Sequence, residues 1–152
     1  MKVAFGCDHA GWKLKDDIFK YLLENRISVS DYGTHSSESV DYPDYAERVC
    51  RDIIDAQADM GILICGTGLG MAIAANKFKG IRAVTVCDEF SAEMARAHND
   101  ANVITFGSRV IGPGLACKIL DRFLNTSYEK GRHQHRLNKI AGFESGAEKS
   151  II

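Results

Sequence analysis

A chain of 152 residues, 45% hydrophobic and 26% charged, has the size and balance of a single globular domain with a core of ordinary size. Its formal net charge of −1 argues against general binding to nucleic acid or to an anionic membrane surface. No apolar run approaches the ~20 residues that span a bilayer, and the short run behind Lys2 is too brief for a secretory signal, so a cytoplasmic protein is expected.

Five β-type runs follow one another along the chain: Lys2–Cys7, Ile27–Tyr32, Met60–Cys65, Arg82–Val86 and Asn102–Phe106. Each is followed by a helical pattern. Leu14, Ile18, Tyr21 and Leu22 read as one apolar helix face; Val49, Ile53 and Ile54 as another; Leu115, Ile119, Leu120 and Phe123 as a third. Strands alternating with helices predict a three-layer αβα fold around a five-stranded parallel sheet, of the flavodoxin/Rossmann-like kind. The runs Gly61–Ile64 and Ala83–Val86 read as strands buried on both faces.

In such a fold, ligands sit beyond the C-terminal ends of the strands. The first strand delivers Asp8 and His9, the third Cys65, and the fifth Gly107-Ser108-Arg109. His98 and Asn99, near the end of the helix after the fourth strand, are expected at the same edge.

The segment Gly61-Ile-Leu-Ile-Cys65-Gly-Thr-Gly-Leu-Gly70 reads as a strand, a tight glycine loop and the start of a helix. Amides in such a loop lack partners and can hold an anion. A thiol beside them loses its proton more readily, which suits Cys65 to chemistry as well as to the small-core role that cysteines often take. Cys7, Cys50, Cys87 and Cys117 read as core residues. The odd number of cysteines, without close pairs, fits reduced thiols; without Cys-x-x-Cys or His-x-x-x-His no structural zinc site is expected.

A dinucleotide-binding turn is the competing reading of the loop. It requires Gly-x-Gly-x-x-Gly or Ala, and here Met71 occupies the third position. Asp8 and His9 can equally begin a helix, since Asp caps well. Alone, His98 reads as an ordinary surface histidine. Arg132 and Arg136, one helical turn apart in the basic tail segment Lys130–Arg136, form either a solvated face or a grip on one anion, their own site's or a neighbour's.

Taken together, Phe5-Gly-Cys-Asp8-His9-Ala-Gly11, Asp41-Tyr42-Pro43, Ile64-Cys65-Gly-Thr67-Gly-x-Gly70, Ala75-Asn-Lys77, His98-Asn99-Asp100, Phe106-Gly-Ser-Arg109 and Gly131-Arg132-His133-x-x-Arg136 resemble the ribose-5-phosphate isomerase type B family. The resemblance runs from residue 1 to about 140 and leaves the last dozen residues as an extension. It implies a flavodoxin-like sheet, a homodimer or a pair of dimers, no metal and no cofactor. The implied reaction interconverts ribose 5-phosphate and ribulose 5-phosphate.

By that resemblance Cys65 is the base between C1 and C2, while Thr67 and the amides of Gly66, Gly68 and Gly70 hold the enediolate oxygens. His98, with Asp8 nearby, opens the furanose. His9, Arg109, Arg132, His133 and Arg136 take the phosphate, and Tyr42 and Asn99 line the sugar. The single domain, residues 1–152, then has a tail at 127–152 that reaches a partner subunit. Met71 stands where one branch of the family has a glutamate base, which places this chain with the cysteine branch. Allose 6-phosphate and galactose 6-phosphate are alternative substrates. Outside the family, a nucleotide-binding regulatory module would explain the glycine loop but not Cys65. A thiol-redox enzyme would explain Cys65, but no resolving cysteine lies near it.

Overall fold

The computed structural model describes residues 1–144. Five parallel strands form one sheet: β1 (Lys2–Cys7), β2 (Ser28–Asp31), β3 (Met60–Cys65), β4 (Ala83–Thr85) and β5 (Val103–Gly107). The helices are α1 (Lys15–Glu24, behind a 3-10 turn at Gly11–Leu14), α2 (Tyr42–Ile54), α3 (Leu69–Ala75), α4 (Glu89–Ala97), α5 (Pro113–Asn125) and α6 (Arg132–Glu144). No helix among the described residues is long and apolar enough to cross a membrane.

The strand order is β2-β1-β3-β5-β4. It follows the flavodoxin order 2-1-3-4-5 through β3, after which β5 takes the inner position and β4 the edge. Burial explains the exchange. Every residue of β5 is buried, whereas β4 is three residues long and ends on an exposed Thr85. The expectation that Ala83–Val86 is covered on both faces is therefore corrected.

Strand alternation divides the core into two layers. Val3, Phe5, Ile62, Ile64, Ile104 and Phe106 face α1, α4 and α5. Ala4, Leu63, Cys65 and Val103 face α2 and α3. On α2 the buried face runs through Ala46, Val49 and Cys50, so Ile54 is turned out and 50% exposed. Right-handed crossovers from β1 to β2 and from β2 to β3 run in opposite directions, which puts α1 and α2 on opposite faces. A crevice opens between the C-terminal ends of β1 and β3, the switch point where α/β sheets bind ligands.

Cys7 and Cys50 are buried as expected, but Cys87 is exposed and Cys117 half-buried. Cys87 falls beyond the end of the short edge strand, in the turn before Asp88 caps α4. All five cysteines are free. The first part of the expected tail forms α6, which buries His133 and Leu137; residues 145–152 lie outside the described residues.

Candidate active site

β3 delivers Cys65 to the switch point, and the chain leaves the sheet through Gly66, Thr67 and Gly68. Gly68 has φ +82°, and a Cβ there would lie 2.9 Å from the main chain of Phe106, so only glycine fits. This conformation aims the Gly68 amide at the sulfur: N–H donates to Cys65 Sγ at 3.1 Å. The Gly68 carbonyl accepts from the fully buried Thr105 hydroxyl at 3.0 Å and from the Ala72 amide at 3.1 Å. That last bond is the first of α3, and the amides of Leu69, Gly70 and Met71 have no hydrogen-bond partner among the described residues.

Neighbouring strands supply the rest of the rim. The Asp8 amide donates to the Ile64 carbonyl, and Asp8 Oδ1 accepts from the amides of Ala10 and Gly11 at 2.9 Å each. Asp8 thus closes the turn that leads into the 3-10 segment, whose own cap position is Ala10, and it does so beside the end of β3. His9 Nδ1 accepts from the Val40 amide at 3.2 Å, which leaves the neutral ring's proton on Nε2 as a donor. The Tyr42 ring packs so closely on Gly70 that a Cβ there would meet it at 2.7 Å. From the end of β5, the amides of Ser108 and Arg109 donate to the carbonyls of Cys65 and Gly66, and the Arg109 guanidinium lies against Gly66. Asp8, His9, Tyr42, Cys65, Gly66, Thr67, Gly68, Gly70 and Arg109 thus form one group.

Cys65 differs from the core thiols. Burial pushes Cys7 and Cys50 up to about 12. Cys65 instead sits at the mouth of the amide loop and receives one of its N–H groups.

His98 and Asn99 do not join this group within one chain. The helix α4 runs antiparallel to the strands, so its C-terminal end returns to the edge where strands begin. There the Asn102 carbonyl accepts from the amide of Gly61, near the start of β3, and the Asn102 amide donates to the carbonyl of Arg82, just before β4. The length of β3, on the order of 15 Å for its rise, separates this edge from Cys65. The expectation of one common edge is corrected accordingly.

A second group gathers at that far edge. His98 and His133 stack with ring centres 4.2 Å apart and planes 7° from parallel. Glu129 Oε2 lies 3.7 Å from His98 Nε2 and 3.5 Å from His133 Nε2. Arg132 donates from Nε to His133 Nε2 at 3.5 Å, and Arg136 follows on the next turn of α6, exposed. The nitrogen and oxygen atoms of His98, Glu129 and His133 lie within 4.8 Å of one another, close enough for a metal ion. Parallel rings, however, direct their in-plane lone pairs side by side rather than at one point, and two arginines add positive charge. The group as arranged suits an anion better than a cation.

Sequence reading passed over three residues. Thr105 was legible as the lone hydroxyl in an apolar strand, and Glu129 as the carboxylate four residues before His133. Asp100 stood in the His98-Asn99-Asp100 motif without a role, because that role depends on arginines from two other places in the fold.

A parallel α/β sheet with a thiol, unpaired loop amides and a guanidinium at its switch point defines an enzyme for a small anionic substrate. Residues 3–140 match the Ribose/Galactose Isomerase family, and the chain belongs to that family. It is 52% identical over 143 residues to "Ribose-5-phosphate isomerase B" of Escherichia coli (strain K12), covering 94% of this chain and 96% of that protein. The solved ribose-5-phosphate isomerase B of Clostridium thermocellum superposes with a TM-score of 0.94 at 45% identity, covering 96% of this chain and 99% of that one. The Mycoplasma genitalium ribose-5-phosphate isomerase B, solved with bound ribulose-5-phosphate, superposes with a TM-score of 0.90 at 40% identity, covering 95% and 96%.

Proposed function

We propose that this chain is an aldose–ketose isomerase that interconverts ribose 5-phosphate and ribulose 5-phosphate, with Cys65 as the base. The observation that carries the reading is the thiol of Cys65 set against a loop of partnerless amides at the switch point. As thiolate, Cys65 takes the proton from C2 of the open-chain aldose and returns it to C1 of the enediolate, while the O2 proton passes to O1; the reverse reaction runs the same path. Thr67 and the amides of the loop meet the oxygens on which negative charge develops, a stabilisation that grows toward the transition state. Tyr42 and the free side of Asp8 bound the sugar. His9, through Nε2–H, and Arg109 hold the phosphate at one rim, and that distant grip fixes the reacting carbons over Cys65.

The groups expected to open the furanose, line the sugar and complete the phosphate site, His98, Asn99, Arg132, His133 and Arg136, lie at the opposite edge of their own chain. A homodimer is the smallest assembly that unites both groups, and two-fold symmetry then completes two sites at once. The partner subunit's His98 opens the ring, and the partner subunit's Arg132 and Arg136 reach the phosphate. An apolar cleft lined by Ile81, Val84, Leu137, Ile140 and Phe143 lies beside Asn99, with Phe143 78% exposed, and supplies surface for such a contact. Five free cysteines fit a reducing compartment, the cytoplasm.

Incubation with five- and six-carbon aldose phosphates, followed by NMR for the ketose product, tests the reading. Ribose 5-phosphate should be the best substrate. Cys65→Ala should lose ~10²-fold or more in kcat while keeping its fold and sugar-phosphate binding. Faster turnover of allose 6-phosphate or galactose 6-phosphate would move the substrate assignment, and an active Cys65→Ala enzyme would remove the base.

A further inference from the structure

The turn that carries His98 and Asn99 is fastened by one carboxylate. Asp100 follows them with φ +44°, in the left-handed region that a residue with a side chain occupies only when its surroundings hold it there. Asp100 Oδ2 accepts from Arg82 Nη2 at 2.9 Å and Oδ1 from Arg96 Nη1 at 2.9 Å. The same arginines bind the neighbouring main chain: Arg82 Nε donates to the Asp100 carbonyl at 2.8 Å, and Arg96 Nη1 to the Ala101 carbonyl at 2.6 Å. Arg82 stands just before β4 and Arg96 in the last turn of α4, so the turn is gripped from two elements. The ion pairs are largely shielded, with Arg96 11%, Arg82 33% and Asp100 32% exposed at the side chain. Charge-assisted bonds in that setting fix geometry strongly. Arg96 Nε is buried without a partner, so Nη1 makes the hydrogen bonds of this guanidinium, which also lies over the Phe123 ring at 5.8 Å.

No hydrogen bond joins Asp100 to His98. Its effect on that residue runs through the backbone of the turn. We propose that Asp100 is a positioning residue, which with Arg82 and Arg96 sets His98 for ring opening in the partner subunit's site. The proposal rests on the reading of His98 as the ring-opening group. A looser turn lowers the share of molecules in which His98 meets the furanose. It leaves proton transfer at Cys65 unaffected, because an acyclic substrate needs no ring opening.

Two assays separate those steps. Isomerisation from ribose 5-phosphate requires both, whereas solvent deuterium exchange into ribulose 5-phosphate reports proton transfer alone. Asp100→Gly relieves the left-handed backbone and removes the carboxylate; Asp100→Asn keeps the outline and one accepting oxygen. Asp100→Gly should lose at least about tenfold in kcat on ribose 5-phosphate, modest beside the ~10²-fold that displacement by 1 Å can cost, with exchange within about twofold of wild type. Asp100→Asn should fall between, and both should melt cooperatively. His98→Asn should give the same split, more strongly. Full kcat in Asp100→Gly, or equal loss in both assays when His98→Asn shows the split, overturns the clamp alone. Equal loss in both assays for His98→Asn removes the ring-opening reading and the clamp with it.

Discussion

His98 and His133 stack face to face with 4.2 Å between ring centres, one ring from the end of α4 and the other from the first turn of α6. The contact ties the tail to the domain body at the point where two basic side chains face each other. Burial, then the neighbouring His98 and Arg132, hold His133 below the usual histidine range, with Glu129 opposing them. The folded state therefore disfavours the protonated ring. Its contribution to stability is fully present above the ordinary histidine value of about 6.5 and is lost as pH falls from there through the lower folded value. Thermal melts from about pH 8 to about pH 5 should show Tm falling more steeply in wild type than in His133→Asn. Parallel curves would place the acid sensitivity elsewhere.

Four of the five thiols should separate clearly by reactivity. Cys7 and Cys50 are buried and pushed up to about 12, Cys87 is exposed, and Cys65 opens on the amide loop. Iodoacetamide at neutral pH should modify Cys87 and Cys65 and spare Cys7 and Cys50. Loss of activity should follow Cys65 by peptide mass spectrometry, and ribose 5-phosphate should slow it. A Cys87→Ser variant should be inactivated at the wild-type rate; resistance in that variant would assign the sensitive thiol to Cys87.

Two glycines of one loop should respond differently to alanine. At Gly68 the added methyl meets both a positive φ and the Phe106 main chain at 2.9 Å, neither of which can yield easily. Gly68→Ala should cost about 1–3 kcal/mol, lower Tm, and depress kcat as the amide swings off Cys65 Sγ. At Gly70 the methyl meets the Tyr42 side chain, 38% exposed and free to move. Gly70→Ala should keep Tm near wild type and raise KM more than it lowers kcat. Equal Tm losses would mean that Tyr42 is fixed more firmly than its exposure indicates.

Much of this was legible in the sequence. β1 and β3 run over the residues that their apolar patterns indicated, and the glycine loop lies where the strand–loop–helix reading put it. These are local signals, set by period and by turn chemistry. The sheet order was not local: nothing in β4 itself says that β5 will slip between it and β3, and only its short length and Thr85 hint at an edge. His98 was misplaced for a geometric reason. A residue near the end of a crossover helix has already travelled back to the start of the sheet, so strand-end logic applies to Cys65 and Arg109 but not to His98. Arg132 and Arg136 follow the last core helix and owe their position to no strand, so strand-end logic never applied to them.

One active site of the proposed dimer draws Cys65 from one subunit and the basic tail from the other. The direct test refolds two inactive variants together, Cys65→Ala and the double variant Arg132→Ala, Arg136→Ala, with native mass spectrometry to confirm mixed dimers. Random pairing makes half of the dimers mixed, and each mixed dimer keeps one intact site of two. About a quarter of wild-type activity should return; no recovery in a sample with confirmed mixed dimers would rule out the shared site.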